Sequence, residues 1–251
     1  MVRPKKHLGQ HFLTDKNIAG KIVNCLELPL DTVCEIGPGT GILTHFLLEK
    51  DYKKLFLIEI DGESVEYLKE NFNRSNLTVL HADFLKTDLK RFVPSQAALI
   101  GNFPYNISSQ IFFKLIENRN LFPETVGMIQ KEVAERIIAP AGSKTYGILS
   151  VLLQAWFDIR YCFTVNETVF YPPPKVKSAV IRLVRNNKEK LGCDESLFLK
   201  IVKTGFNQRR KTLRNALKML QLPLPDTDLL QKRAEQLSVD DFIRLTNLFK
   251  E

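Results

Sequence analysis

The sequence lacks several features that define other classes of protein. Its four cysteines are scattered and include no C-x-x-C pair, so it predicts neither a disulfide framework nor a zinc site. No apolar run approaches the roughly 20 residues of a membrane span, and the N-terminal stretch MVRPKKHLGQHFLTD has charges with no apolar region behind them. No G-x-S-x-G turn marks a serine hydrolase. We therefore expect a cytoplasmic protein without a membrane anchor, a disulfide or a metal.

Acidic residues are missing from one long stretch. Between Ser196 and Pro225 there is no Asp or Glu, although the whole chain carries a net charge of +8. A solvated face would usually mix both signs, so this stretch favours contact with a nucleic acid. Within FNQRRKTLRNALKML, the spacing predicts a helix with a ladder of Arg210, Arg214 and Lys218 that follows an RNA backbone. The predicted RNA-binding residues are Arg209, Arg210, Lys211, Arg214 and Lys218.

Short apolar runs alternate with helix-period segments through residue 130, which is the pattern of parallel βαβ units. Strands are predicted at 32–37, 54–60, 77–83, 97–102 and 125–130, with helices between them starting near Gly41, Gly62 and Ser108. DIRYCFTV and VKSAVIRLVR then read as two strands that close the sheet with antiparallel edge strands. Beyond residue 187 the pattern is helical only. We expect a Rossmann-like α/β domain at 1–187 and a small all-helical domain at 188–251.

A glycine-rich turn lies between the first of these strands and the helix after it. In CEIGPGTGIL, Gly37, Gly39 and Gly41 allow the backbone to approach a nucleotide or nucleoside closely. The spacing differs from the G-x-G-x-x-G of dinucleotide binders. Glu35 would repel a pyrophosphate but attract the ammonium of a nucleoside that carries an amino acid. An NAD-dependent dehydrogenase is therefore disfavoured.

Acidic residues also end the next two predicted strands. Glu59 stands where a carboxylate accepts hydrogen bonds from ribose hydroxyls in this type of fold, and Asp83 could accept from an adenine amine. Each acid alone could equally cap a helix. Their occurrence at successive strand ends, together with Glu35, favours S-adenosylmethionine as the ligand.

The fourth strand ends in the stretch LIGNFPYNISS. The amine of an adenine is a poor nucleophile because its lone pair is delocalised into the ring, so acceptors have to draw on its hydrogens. The side-chain oxygen of Asn102 and a backbone carbonyl held by Pro104 could accept these two N–H bonds. Tyr105 could stack on the base, a contact of about 1–3 kcal/mol. An isolated N-x-P-Y would be read as an ordinary proline turn, but here it follows the glycine turn and the acids.

These motifs together resemble class I methyltransferases that act on base amines. More closely, the chain resembles the KsgA (RsmA) family of small-subunit rRNA adenine N6-dimethyltransferases. The resemblance covers nearly the whole chain: KKHLGQHFL, EIGPGTG, IEID, ADFL, GNFPYNISS, MIQKEVAERI, YGILSVLLQ, FYPPPKVKSAVIRL and FNQRRKTLRNAL. It implies a class I methyltransferase fold, S-adenosylmethionine as methyl donor, and a monomer that acts on two adjacent adenines in a hairpin loop near the 3′ end of 16S rRNA.

The resemblance also implies roles for individual residues. The segment GQHFL would fold over the cofactor and place His11, where many members have Asn, and Leu13 at its methionine end. Gly37 would contact the methionine portion, and Phe170 would sandwich the target base opposite Tyr105. Two other functions stay open: an enzyme of the macrolide-resistance type that acts on large-subunit rRNA, and a ribosome assembly factor that does not catalyse. FYPPPKVKSA and FNQRRKTLRNAL favour the small-subunit family over the first, and Asn102 with Tyr105 argues against the second.

Overall fold

The computed structural model of the chain describes residues 2–93 and 95–249. Its strands, in chain order, are β1 (Phe12–Leu13), β2 (Thr32–Ile36), β3 (Lys54–Glu59), β4 (Leu77–His81), β5 (Ala98–Asn102), β6 (Glu124–Gln130), β7 (Phe157–Val165), β8 (Phe170–Tyr171) and β9 (Ser178–Arg185). The helices are α1 (Lys16–Val23), α2 (Ile42–Leu47), α3 (Gly62–Asn71), α4 (Ser108–Glu117), α5 (Lys131–Ile138), α6 (Ile148–Trp156), α7 (Glu195–Asn207), α8 (Leu213–Leu217) and α9 (Val239–Leu248).

Seven strands form one sheet in the order β4-β3-β2-β5-β6-β9-β7. The strands β2 to β6 are parallel to their neighbours in that group, and β9 is antiparallel to β6. The predicted α/β class and the mostly parallel sheet are confirmed, and each of the seven predicted strands lies within two or three residues of an observed one. The central strands read as continuous apolar runs because successive residues, which point to opposite faces of the sheet, are both buried.

The strand order reverses between β2 and β5. The chain proceeds from β2 through β3 to β4 in one direction, and from β5 to β6 in the other. The loops that leave the ends of β2 and β5 therefore diverge and open a crevice, which is where open α/β sheets bind their ligands. Both motifs singled out in the sequence, the glycine turn and the Asn102 turn, follow these two strands.

A second, two-stranded antiparallel sheet joins the N-terminal segment to the chain before β9. Phe12 pairs with Tyr171 and Leu13 pairs with Phe170. The amide of Thr14 also donates to the Val169 carbonyl at 2.8 Å. We call this pairing of β1 with β8 the N-terminal ribbon. The sequence did not predict it, because two residues are too few to show a strand period.

The chain divides into two compact units. The first contains Met1–Ala134 and Asp158–Arg185, and the second contains Glu135–Phe157 and Asn186–Glu251. The later boundary is close to the predicted one at 187, but the segment 135–157 groups with the C-terminal helices and not with the sheet. The physical reason is that α6 is apolar on almost every side and is buried against α7 and α9.

The predicted helix over RRKTLRNALKML differs from the structure. Residues 208–210 form a turn after α7, and α8 begins only at Leu213, after Thr212 in an extended conformation. Of the predicted ladder, only Arg214 lies in α8, and Lys218 begins a 3₁₀ turn. The predicted ladder is therefore wrong for Arg210, which precedes the helix that contains Arg214. Arg210, Lys211 and Lys218 are exposed, and their contact with RNA stays a prediction.

Candidate active site

The glycine turn after β2 is held by the carboxylate that ends β3. Gly37 and Gly39 have positive φ angles of 60° and 58°. Glu59 accepts hydrogen bonds from the Gly39 amide at 3.1 Å and from the Asp61 amide at 2.9 Å. Burial raises the pKa of Glu59, and these backbone bonds oppose the rise. Glu59 thus fixes the turn while it lines the cleft.

The third glycine of the turn has a different role from the other two. Gly41 has a φ of 78° and stands at the N-terminus of α2. A Cβ there would lie 2.4 Å from the ring of Phe72. Gly41 does not line the cleft. The structure therefore gives it a packing role, and its predicted contact with the cofactor stays a prediction.

Glu35 lies behind the turn and is 1% exposed. Its carboxylate accepts a hydrogen bond of 2.6 Å from the Thr44 hydroxyl. Burial raises the pKa of Glu35 to about 8. The predicted attraction between Glu35 and an ammonium stays a prediction, since a cation bound beside this carboxyl group would favour its charged form. Glu35 borders a small side cavity together with Leu13 and Asn102.

The opposite end of the cleft combines a carboxylate with apolar side chains. Asp83 accepts a hydrogen bond of 2.9 Å from the Leu85 amide and lines the cleft. Ile60 and Phe84, each directly after an acid at a strand end, line it as well. Ile60 is 48% exposed, which is unusual for so large an apolar side chain. The sequence analysis missed these two residues, although an apolar residue following each strand-end acid could have indicated them.

The orientation of the Asn102 carboxamide is set by a residue far away in the sequence. Its Nδ2 atom donates to the His11 carbonyl oxygen at 2.8 Å. Because the amide has one donor end and one acceptor end, this bond leaves Oδ1 as the acceptor end of a side chain that lines the cleft. The Pro104 carbonyl accepts from the Ile107 amide at 3.1 Å. The candidate second acceptor is therefore the Phe103 carbonyl, which is bonded to the Pro104 nitrogen.

Tyr105 is held on two sides. Its hydroxyl lies 2.5 Å from the Ser178 hydroxyl, and burial raises its pKa. The His11 ring stacks on it, with ring centroids 5.6 Å apart and an angle of 29° between the planes. His11 Nδ1 lies 2.7 Å from the Pro172 carbonyl oxygen and therefore donates to it, since a carbonyl can only accept.

Leu13 and Phe170 also lie away from the cleft wall. Phe170 is 4% exposed and packs in the core with Leu13, its partner in the N-terminal ribbon. Side chains alternate along a strand, so Phe170 points inward and Tyr171, which is 64% exposed, points outward. This differs from the predicted position of Phe170 opposite Tyr105, because the core takes the side of β8 on which it lies.

The basic residues of the second unit do not share one environment. Arg209 donates to the Lys144 carbonyl at 2.5 Å and lies 3.7 Å from the Glu235 carboxylate. Arg214 is half-buried, whereas Arg210, Lys211 and Lys218 are exposed. The structure thus places Arg209 in contacts within its own unit and leaves the three exposed residues as candidates for an anionic partner.

The cleft residues fit S-adenosylmethionine. A Cβ on Gly37 would meet no atom within 4 Å, so the backbone at the turn is open to the cleft. Glu59 provides an acceptor for ribose hydroxyls, and Asp83 with Ile60 and Phe84 provides an acceptor and an apolar slot for adenine. Within residues 2–93 and 95–249, no group of three potential ligands suits a metal ion, and no helix is long and apolar enough to cross a membrane.

Comparison with known proteins agrees with this geometry. Two solved structures resemble the chain over 94% of its length. A dimethyladenosine transferase from Plasmodium falciparum is 30% identical, is covered over 96% of its length and gives a TM-score of 0.78. The 23S rRNA methyltransferase ErmE is 25% identical, is covered over 99% and gives a TM-score of 0.69. The fold and the cleft define a class I, S-adenosylmethionine-dependent methyltransferase.

The sequence relatives narrow this class. A relative from Cytophaga hutchinsonii is 57% identical over 98% of this chain and 97% of its own length. A relative from Bacteroides thetaiotaomicron is 55% identical over 100% of this chain and 96% of its own length. Both are named ribosomal RNA small subunit methyltransferase A. The family described as ribosomal RNA adenine dimethylase matches residues 1–251. The chain belongs to that family.

Proposed function

We propose that the protein transfers methyl groups from S-adenosylmethionine to the N6 amines of two adjacent adenines in a hairpin loop near the 3′ end of 16S rRNA. The observation that carries this proposal is the Asn102 carboxamide. It ends β5 at the cleft, and its bond to the His11 carbonyl leaves Oδ1 as an acceptor for an amine. The names of the relatives support the small subunit as substrate.

The chain's own groups would act on the amine in three ways. Asn102 Oδ1 and the Phe103 carbonyl accept the two N–H bonds, which localises the nitrogen lone pair for attack. Tyr105 offers a ring face to the base, and the His11 ring together with the Ser178 hydroxyl keeps it in place. Bound S-adenosylmethionine supplies an electrophilic methyl group on a sulfonium that leaves readily. The amine proton can then pass to water, so no strong base is required.

A flipped adenine fits this arrangement better than a paired one. The groups that would contact the base lie within a cleft, and a paired base cannot bring its amine to Asn102. The exposed Arg210, Lys211 and Lys218 would contact the RNA backbone and hold the subunit, without reading its sequence. Phe170 could reach the base only if β8 moved, so we assign the stacking to Tyr105 alone.

Methyl transfer from labelled S-adenosylmethionine to unmethylated small ribosomal subunits tests this function. Asn102→Ala removes the acceptor, and we expect a fall in rate of about 10²–10³, by analogy with the loss of one preorganised hydrogen-bond donor in an oxyanion hole. Asn71→Ala is the matched control, because Asn71 is exposed at the end of α3 and does not line the cleft. Nucleoside mass spectrometry and mapping identify the product. We expect dimethyladenosine near the rRNA 3′ end with the wild type and the control only.

Other outcomes distinguish the alternatives. Label in large-subunit rRNA alone would indicate the macrolide-resistance type of enzyme. Tight binding of the wild type to small subunits without methyl transfer would indicate an assembly factor. A methyltransferase that binds an immature small subunit and leaves it after methylation would have both roles. We therefore also propose a role in late assembly of the small subunit. We also propose that the protein acts as a monomer in the cytoplasm, as the family resemblance implies.

A further inference from the structure

The segment of residues 5–12, which we call the N-terminal strap, spans the ends of three strands. At one end of it, the Lys5 ammonium forms an ion pair with the Asp61 carboxylate, just after β3. Further along, the backbone at Gly9 packs against Asn106 in the turn after β5, so closely that a Cβ there would lie 2.6 Å from the Oδ1 atom. Because β2 lies between β3 and β5 in the sheet, the strap passes the end of β2, where the glycine turn is.

The strap forms one wall of the cleft. Residues 7–12 line the cleft, and Glu59 and Asp83 line it from the strand ends. The Phe12 ring packs on the glycine turn, since a Cβ on Gly39 would lie 2.9 Å from it. Bound S-adenosylmethionine would therefore lie between the strap and the strand ends.

The first half of the strap is a closed loop with Lys5 at its base. The Lys5 amide donates to Gln10 Oε1 at 2.8 Å, and the Lys5 carbonyl accepts from the Leu8 amide at 3.1 Å. Gly9 has a φ of 65°, and its amide donates to the Lys6 carbonyl at 3.0 Å. These bonds hold the loop together internally, and the Lys5 side chain attaches it to the turn after β3.

The partner of Lys5 is a buried carboxylate beside the residue expected to bind ribose. Asp61 is 4% exposed, and its other oxygen accepts from the Ser64 hydroxyl at 2.8 Å. The Asp61 amide donates to Glu59 at 2.9 Å. The Lys5 side chain is 33% exposed, so water screens part of the attraction. Opening the strap would still leave the Asp61 charge buried without its cation, which disfavours the open form.

This contact gives Lys5 a role in retaining the cofactor. We propose that Lys5 is a positioning residue, whose ion pair with Asp61 holds the strap against bound S-adenosylmethionine or its product and slows their release. Lys5 does not line the cleft, so it acts through the strap and not by touching the ligand. The proposal rests on the S-adenosylmethionine part of the proposed function and does not depend on the RNA substrate.

Release of labelled S-adenosylhomocysteine from the full-length protein, after addition of excess unlabelled ligand, tests this role without RNA. Lys5→Met keeps a long side chain but removes the charge, and it should release the ligand several-fold faster than the wild type, whereas Lys5→Arg should restore slow release. Lys6→Met is the matched control, because Lys6 is the exposed neighbour with the same charge. Equal release rates for Lys5→Met and the wild type would overturn the proposal. A wild type that does not bind the ligand at all would overturn the cofactor assignment as well.

A double-mutant cycle separates the ion pair from a general loss of stability. Asp61→Asn should also accelerate release, and its combination with Lys5→Met should add little, because both changes break one contact. In methyl transfer, Lys5→Met should raise the KM for S-adenosylmethionine without lowering kcat, since the N-terminal ribbon still holds the other end of the strap. Fully additive effects in the cycle, or a lower kcat with an unchanged KM, would contradict the proposal. If the wild type binds the cofactor but transfers no methyl group to rRNA, the proposed function fails and the release rates still decide the role of Lys5.

Discussion

The Glu35→Gln substitution gives a pH-dependent prediction about stability. Glu35 is 1% exposed and accepts a hydrogen bond from Thr44. Glutamine has nearly the same shape and can also accept this bond, but it does not titrate. The difference in unfolding free energy between the variant and the wild type therefore isolates the ionisation of one buried carboxyl group.

The sign and the size follow from the pKa. Burial raises the pKa of Glu35 to about 8 in the folded protein, from an ordinary value of 4.5. The folded chain thus binds this proton more tightly than the unfolded chain does. The stabilisation is fully present below about pH 4.5 and is lost as the pH rises through about 8. At 1.36 kcal/mol per pKa unit, the wild type should lose about 4 kcal/mol relative to the variant between pH 5 and pH 9.

Urea unfolding at pH 5, 7 and 9, followed by circular dichroism, measures this difference. Glu70→Gln is the matched control, because it makes the same chemical change at an exposed position on α3. A flat difference for Glu35→Gln across this range would refute the reasoning, since it would mean that the carboxyl group is ionised at no cost in the folded protein. We also expect binding of S-adenosylhomocysteine at pH 7 to change less than tenfold.

Three further predictions follow from contacts in the first and second units. His11→Ala should raise the KM for rRNA several-fold and leave the affinity for S-adenosylhomocysteine within twofold, because the His11 ring packs on Tyr105. His11→Phe should restore the KM. A change in cofactor affinity instead would support a role of His11 at the methionine end of the cofactor. Glu124→Gln should lower stability by about 3–5 kcal/mol in urea unfolding, because it weakens a buried ion pair with Arg182 at 2.6 Å, and an unchanged midpoint would contradict this. Lys211→Ala should weaken binding to small subunits and lower the salt slope of the binding constant by about one released counterion. An unchanged salt slope would exclude a phosphate contact at this exposed residue.

The sheet was predictable because its signals are local. Each central strand is a short apolar run, and the acids and glycines that end these runs must meet at one edge when the strands are parallel. Glu59, Asp83, Asn102 and Tyr105 were placed on the cleft by this logic alone, and they line it. The roles of these residues toward cofactor and base stay predictions.

Contacts between distant segments were not predictable in the same way. The bond from Asn102 to the His11 carbonyl joins residues 91 positions apart, and a backbone acceptor leaves no trace in residue type. The position of Phe170 depended on which side of a two-residue strand faces the core. The helix start at Leu213 was missed because leucine and arginine spacing continued through the turn before it.

The N-terminal ribbon has a consequence for protein synthesis. Residues 12 and 13 leave the ribosome early, but their partners, Phe170 and Tyr171, are translated more than 150 residues later. Ser178, which bonds to Tyr105, follows them. Until then the His11 carbonyl has no fixed position from which to orient Asn102. A nascent chain that ends before Ser178 can therefore complete the central parallel strands and still lack the contacts that orient Asn102 and Tyr105, so we expect this family member to become active only after more than half of its chain has been translated.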